Sequence, residues 1–531
     1  MIAVSRRLTF PVGPILLLAV LTAVALFVRP LTPIDETRYI SVAWEMWLRD
    51  EYLVLYKNGA PYSHKPPLLF WLYNLGWAVT GVNEWWPRLV SPLFSLGSLL
   101  LTLSIGRRLW PEDRDTGRNA AWILASSLLW MLFSTSGMFD VMLTFFALLG
   151  MRGLLIAADG RMRSGFAWLA FAIGFGVLAK GPVVLLHLLP VALLAPWWRP
   201  GLAWKRWTGG VLLAVLGGAA IALAWAIPAA IQGGEEYRRM IFWGQTANRM
   251  VDSFAHKRPL WWYLPLLPLL FFPWLLWPGL WRRLVALKRE GLDGGLRFCL
   301  SWLAPVFVFF SLISGKQIHY LVPLFPAFAL FAGRLLARSQ AGGEVGGPWL
   351  PALLAGAAGA AMIYLAPDGL TGKLDLWELL PRWPGVLLIL TAAAAAWLGR
   401  KQEWRMAALA TLGAALFALA QCYVSENLWR RYDIRPLAQE IGKLQERGIA
   451  VANNGDYHAQ YQFFGRLERP IDELPTPFDI QPWFEKHPDG VLILYVTPKP
   501  DEAAPLFSQP YIGETAILLT AEQARARGIL R

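Results

Sequence analysis

Charged residues that follow an apolar run are the first candidates for chemistry in this sequence. Asp35, Glu36 and Arg38 come directly after the run 8–28, and Lys65 precedes the next such run. A run of this length is about enough to cross a hydrocarbon core of roughly 30 Å. The sequence therefore places these residues at a membrane boundary, where ionisable side chains mark a functional site by default.

Carboxylates beside cations suit chemistry at a phosphate group. Lysine and arginine can stabilise charge that develops on phosphate as a bond to it breaks, and a carboxylate can act as general base on an incoming hydroxyl. Structural roles stay open, because basic residues at span ends often anchor headgroups and an exposed pair such as Asp35 with Arg38 contributes little. Further candidates on the same predicted side are His64, Asp140, Lys180, His256, Lys316, His319 and Tyr320.

The composition is that of a polytopic membrane protein. Of the 531 residues, 56% are hydrophobic and 16% are charged, whereas soluble proteins carry about 25% charged residues. The net charge of +13 comes mostly from Lys and Arg in short joints between apolar runs. Membrane topology explains this charge, so we expect membrane lipids and no nucleic acid as partners.

The apolar runs predict about thirteen membrane spans, all α-helical. They cover 8–28, 89–105, 120–136, 141–157, 166–179, 182–196, 208–230, 260–280, 298–313, 321–336, 349–366, 385–399 and 405–424. Basic residues collect in alternate joints, which the positive-inside rule places in the cytoplasm with the N-terminus. An odd number of spans then puts the first joint, 30–88, and the C-terminal residues on the far side.

The first joint predicts a surface helix. Apolar residues recur in it at helical spacing, which is typical of a helix lying on the membrane, and they are Tyr39, Val42, Ala43, Met46 and Trp47. If this helix begins near Asp35, Asp35 and Arg38 project in neighbouring directions. A turn at Asn58-Gly59 then leads to His64 and Lys65.

Two domains are predicted, a transmembrane domain over 1–424 and a small soluble α/β domain over 425–531. In the second, Asp433 can cap a helix over 434–447, and β-rich runs lie at 449–452, 491–496 and 516–519. This domain contains no glycine-rich phosphate-binding loop.

Motifs along most of the chain resemble a known family. They are DETRY at 35–39, Glu45-Met46, Asn58-Gly59, Tyr62, KPPL at 65–68, Phe139-Asp140, AKGP at 179–182, His256, Arg258-Pro259, WWYLP at 261–265, and Lys316 to Tyr320 with Pro323. In this order the sequence is similar to the bacterial 4-amino-4-deoxy-L-arabinose lipid A transferases. These belong to the membrane-embedded GT-C superfamily together with the protein O-mannosyltransferases.

This resemblance implies an inverting transfer of a sugar from a polyprenyl-phosphate carrier, at the periplasmic face of the bacterial inner membrane. The acceptor would be lipid A, another glycolipid or glycan, or a protein. By matched position, Asp35 would be the catalytic carboxylate and Asp140 a second acidic residue. The residues that would bind the carrier phosphate are Arg38, Lys65, Lys316 and Tyr320.

The resemblance also bears on metal binding. His64 and His256 fall where the family places a metal-binding pair, although the residue before the lysine is usually acidic there. A structural zinc is therefore an option, and no cofactor is required.

A transporter or flippase of a lipid-linked sugar is the alternative class. Such a protein should carry ionisable groups or broken helices near the middle of the bilayer. In this sequence the charges lie at span ends, which favours a glycosyltransferase.

Overall fold

Apolar helices build the larger part of the molecule, and a mixed sheet follows them. The computed structural model describes residues 11–244, 257–338, 346–364, 381–425, 428–497 and 504–530. The first helices are α1 (Val12–Val28), α2 (Asp35–Arg49), α3 (Leu68–Thr80), α4 (Trp85–Leu109), α5 (Arg114–Ser126), α6 (Leu128–Ser134), α7 (Phe139–Ala158), α8 (Met162–Lys180), α9 (Val183–Leu193) and α10 (Ala195–Trp198). A hairpin of two short antiparallel strands, β1 (Tyr56–Lys57) and β2 (Ala60–Pro61), lies between α2 and α3.

The helical part continues beyond residue 200. Its helices are α11 (Trp204–Gln232), α12 (Gly234–Arg239), α13 (Leu267–Leu270), α14 (Pro278–Glu290), α15 (Gly294–Leu312), α16 (Phe325–Arg338), α17 (Trp349–Tyr364), α18 (Trp383–Leu398) and α19 (Gln402–Val424). Shorter turns lie at Met240–Gly244, Leu264–Leu266, Trp274–Leu276 and Ile318–Leu324.

Most of the predicted spans correspond to apolar helices. In the described part of the chain, seven helices are long and apolar enough to cross a membrane by length and composition. They lie at the predicted spans 89–105, 141–157, 166–179, 208–230, 298–313, 321–336 and 405–424. Shorter apolar helices in the described residues, α1, α9, α17 and α18, overlap the predicted spans 8–28, 182–196, 349–366 and 385–399, and α3 lies within the joint 30–88. The total of thirteen stays a prediction.

Two predicted spans are not continuous helices. The run 120–136 is divided between α5 and α6, because Ser127 has an extended backbone with φ −72° and ψ 130°. The run 260–280 is broken into short turns. It contains four prolines between residues 265 and 278, and proline lacks an N–H and clashes with the preceding helical turn. The apolar composition of a run does not by itself show where its helix is broken.

Helix α2 begins at Asp35, as predicted, but it is buried on more than its apolar side. Tyr39 and Met46 of the predicted apolar face are buried, and so are the polar Ser41 and Glu45. The helix packs against α3, and the Tyr39 ring lies 4.8 Å from the ring of Phe139 on α7. Its orientation to the membrane stays a prediction. A buried polar residue such as Glu45 requires hydrogen-bonding partners.

The C-terminal residues form an α/β unit. Its described strands are β3 (Val451–Asn454), β4 (Asp472–Leu474), β5 (Val491–Val496), β6 (Phe507–Tyr511) and β7 (Glu514–Thr520), in the order β4-β3-β5-β7-β6. Its helices are α20 (Leu428–Tyr432), α21 (Arg435–Glu446), α22 (Gln462–Gly465), α23 (Ile480–Lys486) and α24 (Ala521–Ala526). The predicted helix and three strands correspond to α21, β3, β5 and β7. The sequence did not predict β4 and β6.

The sheet is mixed and is covered on both faces. Strand β3 pairs in parallel with β4 and β5, and β7 pairs antiparallel with β5 and β6. Helix α21 packs its Leu437 and Ile441 on one face. Trp483 of α23 and Ala524 of α24 pack on the other face.

A buried charge network holds the start of α2. Glu36 accepts hydrogen bonds from Arg29 Nη1 at 2.7 Å and from the Gly137 backbone at 2.6 Å. Arg88 of α4 donates to the carbonyls of Ala25, at 2.6 Å, and of Arg29. Burial acts to raise the pKa of Glu36, but the charge of Arg29 and the hydrogen bonds to the carboxylate outweigh it and lower the pKa. The network therefore joins α1, α2, α4 and the segment before α7.

We predict that Glu36→Gln lowers the free energy of unfolding by about 3–5 kcal/mol, because Arg29 is then buried without its counter-charge. Since the folded-state pKa of Glu36 is lowered, the stabilisation is complete above the ordinary glutamate pKa and is lost as the pH falls through the lowered value. Thermal unfolding in detergent at several pH values measures this. Glu446→Gln, at an exposed position, is the control. Equal stability of the two variants would contradict the prediction.

Candidate functional site

Three side chains near the N-terminus of α2 contact one another. Arg38 Nη2 forms an ion pair with Asp35 Oδ1, and the Tyr39 hydroxyl donates to the same oxygen at 3.1 Å. The Asp35 side chain is 48% exposed and that of Arg38 is 21% exposed. Burial and the charge of Asp35 raise the pKa of Tyr39, so its hydroxyl stays a donor. Asp35 is thus an accessible carboxylate held in one orientation, and its predicted proximity to Arg38 is confirmed.

Lys65 reaches the same place from the other side of the hairpin. Its Nζ lies 5.7 Å from the centroid of the Tyr39 ring and 5.4 Å from that of Phe139. Cation–π contacts of this kind contribute about 0.5–2 kcal/mol. Lys65 and the Asp35–Arg38 pair therefore share Tyr39 as a common neighbour.

A second ion pair lies next to Phe139. Asp140, at the start of α7, pairs with Lys180 at the end of α8, and their side chains are 1% and 13% exposed. Lys180 Nζ also lies 5.9 Å from the centroid of the Tyr320 ring. Asp140 Oδ2 is buried and has no hydrogen-bond partner among the described residues. Buried oxygens are normally paired, so this one is available to a donor on a ligand.

These two ion pairs and Lys65 form one charged cluster, which consists of Asp35, Arg38, Lys65, Asp140 and Lys180. Asp140 interacts electrostatically with Lys180, with His319 and with Lys65. His319 interacts with Asp140 and, more weakly, with Asp35. Three cations stand against two carboxylates, so the cluster has an excess of positive charge that suits an anionic ligand.

An apolar cavity is lined in part by the turn that contains Tyr320. Its volume is about 280 Å³, and its walls come from α13, α15, α16 and the turn that contains Leu321. Leu321 follows Tyr320 directly, and Tyr320 contacts Lys180. The turn Ile318–Leu324 thus contributes both to the wall of the cavity and to the contact with Lys180.

Lys316 makes its described contacts elsewhere. Its Nζ donates to the carbonyl of Arg258 at 3.1 Å and to that of Ile313. The side chain is 3% exposed, and burial lowers its pKa. The structure therefore brings Arg38, Lys65 and Tyr320 to the two carboxylates but gives Lys316 backbone partners, and its predicted role in phosphate binding stays a prediction.

The predicted zinc pair is only partly visible. The His64 ring stacks on that of Tyr62 at 5.3 Å, and His256 lies outside the described residues. In the part that the structure does describe, no group of three or more His, Cys, Asp or Glu side chains could hold a metal ion. Zinc binding stays a prediction.

Two pairings were not predicted from the sequence. Lys180 was a candidate but was not paired with Asp140, because the two are 40 residues apart and meet only through the packing of α7 on α8. Glu36 was a candidate for chemistry, whereas the structure pairs it with the buried Arg29. A usable signal was that Asp140 and Lys180 both stand at span ends predicted on the same side.

Comparisons with known proteins identify similar sequences. A profile of the family described as dolichyl-phosphate-mannose-protein mannosyltransferase matches residues 64–231. An undecaprenyl phosphate-alpha-4-amino-4-deoxy-L-arabinose arabinosyl transferase from Erwinia tasmaniensis is 30% identical over 420 residues, which are 74% of this chain and 73% of that protein. One from Pseudomonas aeruginosa is 33% identical over 388 residues, 70% of this chain and 67% of that protein.

Solved structures share the fold. ArnT from Cupriavidus metallidurans, in a crystal structure bound to undecaprenyl phosphate, aligns with a TM-score of 0.76 over 96% of this chain and 98% of that chain, at 18% identity. The apo form of an Archaeoglobus fulgidus oligosaccharyltransferase aligns with a TM-score of 0.50 over 90% of this chain and 65% of that chain, at 11% identity. The molecule therefore has the GT-C fold.

We predict that Lys180→Met destabilises the protein by about 3–5 kcal/mol, because Asp140 is then buried without a counter-charge. Adding Asp140→Asn to Lys180→Met should recover part of this loss, since no unpaired charge remains. Thermal unfolding in detergent measures both. Arg108→Met, which opens the more exposed pair with Asp159, is the control and should cost about 0–1 kcal/mol. A double variant less stable than Lys180→Met would contradict the assignment.

Proposed function

We propose that this chain, which belongs to the family of the undecaprenyl phosphate-4-amino-4-deoxy-L-arabinose arabinosyl transferases, moves a sugar from a polyprenyl-phosphate carrier to an acceptor at the periplasmic face of the bacterial inner membrane. It is a membrane glycosyltransferase with the GT-C fold. The observation that carries the proposal is the charged cluster, which joins an accessible carboxylate to three cations.

The cations bind the carrier phosphate in this proposal. Negative charge develops on the phosphate as the bond between its oxygen and the anomeric carbon breaks, and fixed positive groups stabilise that charge. Arg38 and Lys65 both lie over the Tyr39 ring, 5.5 Å and 5.7 Å from its centroid, and are the first candidates. Tyr320 contacts Lys180, and the next residue, Leu321, lines the apolar cavity, which suits the hydrocarbon chain of the carrier. Lys316 is retained as a further phosphate ligand from the family resemblance.

Asp35 acts on the acceptor. The acceptor oxygen attacks the anomeric carbon on the face opposite to the departing phosphate, which inverts the configuration. If the acceptor is a hydroxyl, its proton passes to Asp35, whose carboxylate is half exposed. If the acceptor is a lipid A phosphate, no proton needs to be removed, and Asp35 orients the donor or the acceptor. Asp140 keeps Lys180 in place and offers Oδ2 to a sugar hydroxyl.

Lipid A is the proposed acceptor, on the strength of family membership. A structural zinc on His64 and His256 is retained as a proposal, and no step of the reaction passes through it. A transporter should carry its charges near the bilayer midplane. The charged residues of this site stand at helix ends, since Asp35 begins α2, Asp140 lies at the start of α7 and Lys180 ends α8. This placement supports an enzyme.

We predict that Asp35→Asn lowers the rate of transfer to a hydroxyl acceptor by about 10²–10⁴-fold, because a general base contributes about that much. The protein should still insert and fold, since the Asp35 side chain is half exposed. Turnover by the purified variant measures the effect. Asp50→Asn makes the same change at the other end of α2, in a left-handed position that Asn tolerates, and should leave turnover unchanged. Near-normal turnover of Asp35→Asn with a hydroxyl acceptor would show that Asp35 is not the general base.

We also predict that purified protein releases polyprenyl phosphate from undecaprenyl-phosphate aminoarabinose only when an acceptor is present. Lipid A, another glycolipid and an acceptor peptide are supplied in parallel, and mass spectrometry identifies the glycosylated product. Movement of the carrier across vesicles without sugar transfer would favour a flippase instead. Transfer to the peptide alone would replace lipid A as the acceptor.

A parallel reaction with a chelator tests the proposed structural zinc. Removal of a structural ion should lower the stability of the protein without changing which product is formed.

A further inference from the structure

The tip of the β1–β2 hairpin is attached to the C-terminal unit through one side chain. Asn58 Oδ1 accepts from Ile471 N at 2.8 Å and from Gln462 Nε2 at 2.7 Å. Its Nδ2 donates to Ile471 O at 2.8 Å and to Glu473 Oε1 at 3.0 Å. The amide thus engages both backbone groups of Ile471, as a neighbouring strand would. Asn58 has a φ of 53°, in the left-handed region that Asn adopts more readily than most residues.

The same tip is held from the opposite side by α2. The Glu45 carboxylate accepts from the backbone N–H of Asn58 and, at 3.0 Å, from that of Gly59. These bonds explain how a carboxylate that is 6% exposed can be buried on α2. The hairpin is therefore clamped between α2 and the C-terminal unit.

Further contacts join the C-terminal unit to the hairpin and to the helices around it. Lys57 Nζ donates to Tyr457 O at 2.9 Å, and Trp44 Nε1 donates to Leu467 O at 3.0 Å. The Phe463 ring stacks on Trp77 of α3, with centroids 5.4 Å apart and planes 5° apart. The C-terminal unit therefore packs on both helices that flank the hairpin.

The hairpin in turn leads directly to the charged cluster. Tyr62 N donates to Leu55 O at 2.7 Å, which continues the pairing past the two strands. Lys65 follows three residues after Tyr62, and its ammonium lies over the rings of Tyr39 and Phe139. A displacement of the tip would be passed to Lys65 because few residues lie between them.

We propose that the C-terminal unit positions the donor-phosphate site, and that Asn58 is the positioning residue through which it does so. This inference rests on the proposed function, in which Lys65 binds the carrier phosphate. It gives the C-terminal unit a role in donor binding that the sequence alone did not reveal.

Asn58→Asp tests the proposal. The variant keeps the size of the side chain and its tolerance of a left-handed backbone, but it loses the two donors to Ile471 O and Glu473. We expect the KM for the lipid-linked donor to rise about tenfold, as the loss of partly buried hydrogen bonds would give, with kcat changed less than about twofold. Adding Glu473→Gln returns a donor at the position of Glu473 and should recover at least half of the change in KM, on a logarithmic scale.

Asp472→Asn is the matched control. It lies beside Glu473 on β4, and its carboxylate accepts from Trp483 Nε1 at 2.8 Å within the C-terminal unit. This variant should leave the donor KM unchanged even if it lowers the stability of the unit. A donor KM in Asn58→Asp equal to that of the wild type would overturn the proposal, and so would an equal rise in Asp472→Asn.

Direct binding of undecaprenyl phosphate separates this proposal from the function on which it rests. Wild-type protein that does not bind undecaprenyl phosphate would refute the proposed donor site itself. Binding by the wild type with unchanged affinity in Asn58→Asp would refute only the positioning role. Weaker binding by Asn58→Asp, together with faster hydrogen exchange in residues 52–66, is the expected result.

Discussion

The ion pair between Arg29 and Glu36 is the constraint on which the site depends. Both side chains are withdrawn from water at the place where the chain leaves α1, and separating them would leave a bare charge in a medium of low dielectric constant. Glu36 also accepts a hydrogen bond from the backbone N–H of Gly137, and Arg88 donates to the carbonyl of Ala25 near the end of α1. Because these bonds fix the first turn of α2, the carboxylate of Asp35 has a defined position.

The two ion pairs of the charged cluster, together with Lys65, determine its net positive charge. Arg38 and Lys180 are mostly buried and already paired with carboxylates, so neither has to be taken out of water when a ligand binds. Lys65 lies over the aromatic rings of Tyr39 and Phe139. A site with this mixture can bind a phosphate and then stabilise its additional charge without rearranging its own groups.

Local features of the structure could be predicted from the sequence, and non-local ones could not. The start of α2 and the direction shared by Asp35 and Arg38 follow from helical spacing, and the break after Lys180 follows from Gly181 and Pro182, with Gly181 at a φ of 81°. Strands β5 and β7 are apolar enough to be recognised. Strand β6, with Ser508 and Pro510, lacks that pattern and is defined only by its pairing with β7.

The site was predicted in the same uneven way. Candidate residues could be named from their charge and predicted side, but their partners required the packing of helices far apart in sequence. The pairing of Asp140 with Lys180 depends on α7 and α8 lying side by side. The broken segment 260–280, which helps to form the apolar cavity, was predicted as a continuous span because its prolines were outweighed by its apolar composition.

The attachment of Asn58 to Ile471 has a consequence for the order in which the protein is made. The two residues are 413 positions apart, and chains emerge from the ribosome N-terminus first. The hairpin is therefore synthesised long before its second support exists. During that interval α2 is the only one of the two supports that can hold the tip of the hairpin. Synthesis of the C-terminal strands closes the clamp, so the proposed donor site reaches its final form only after these strands are made.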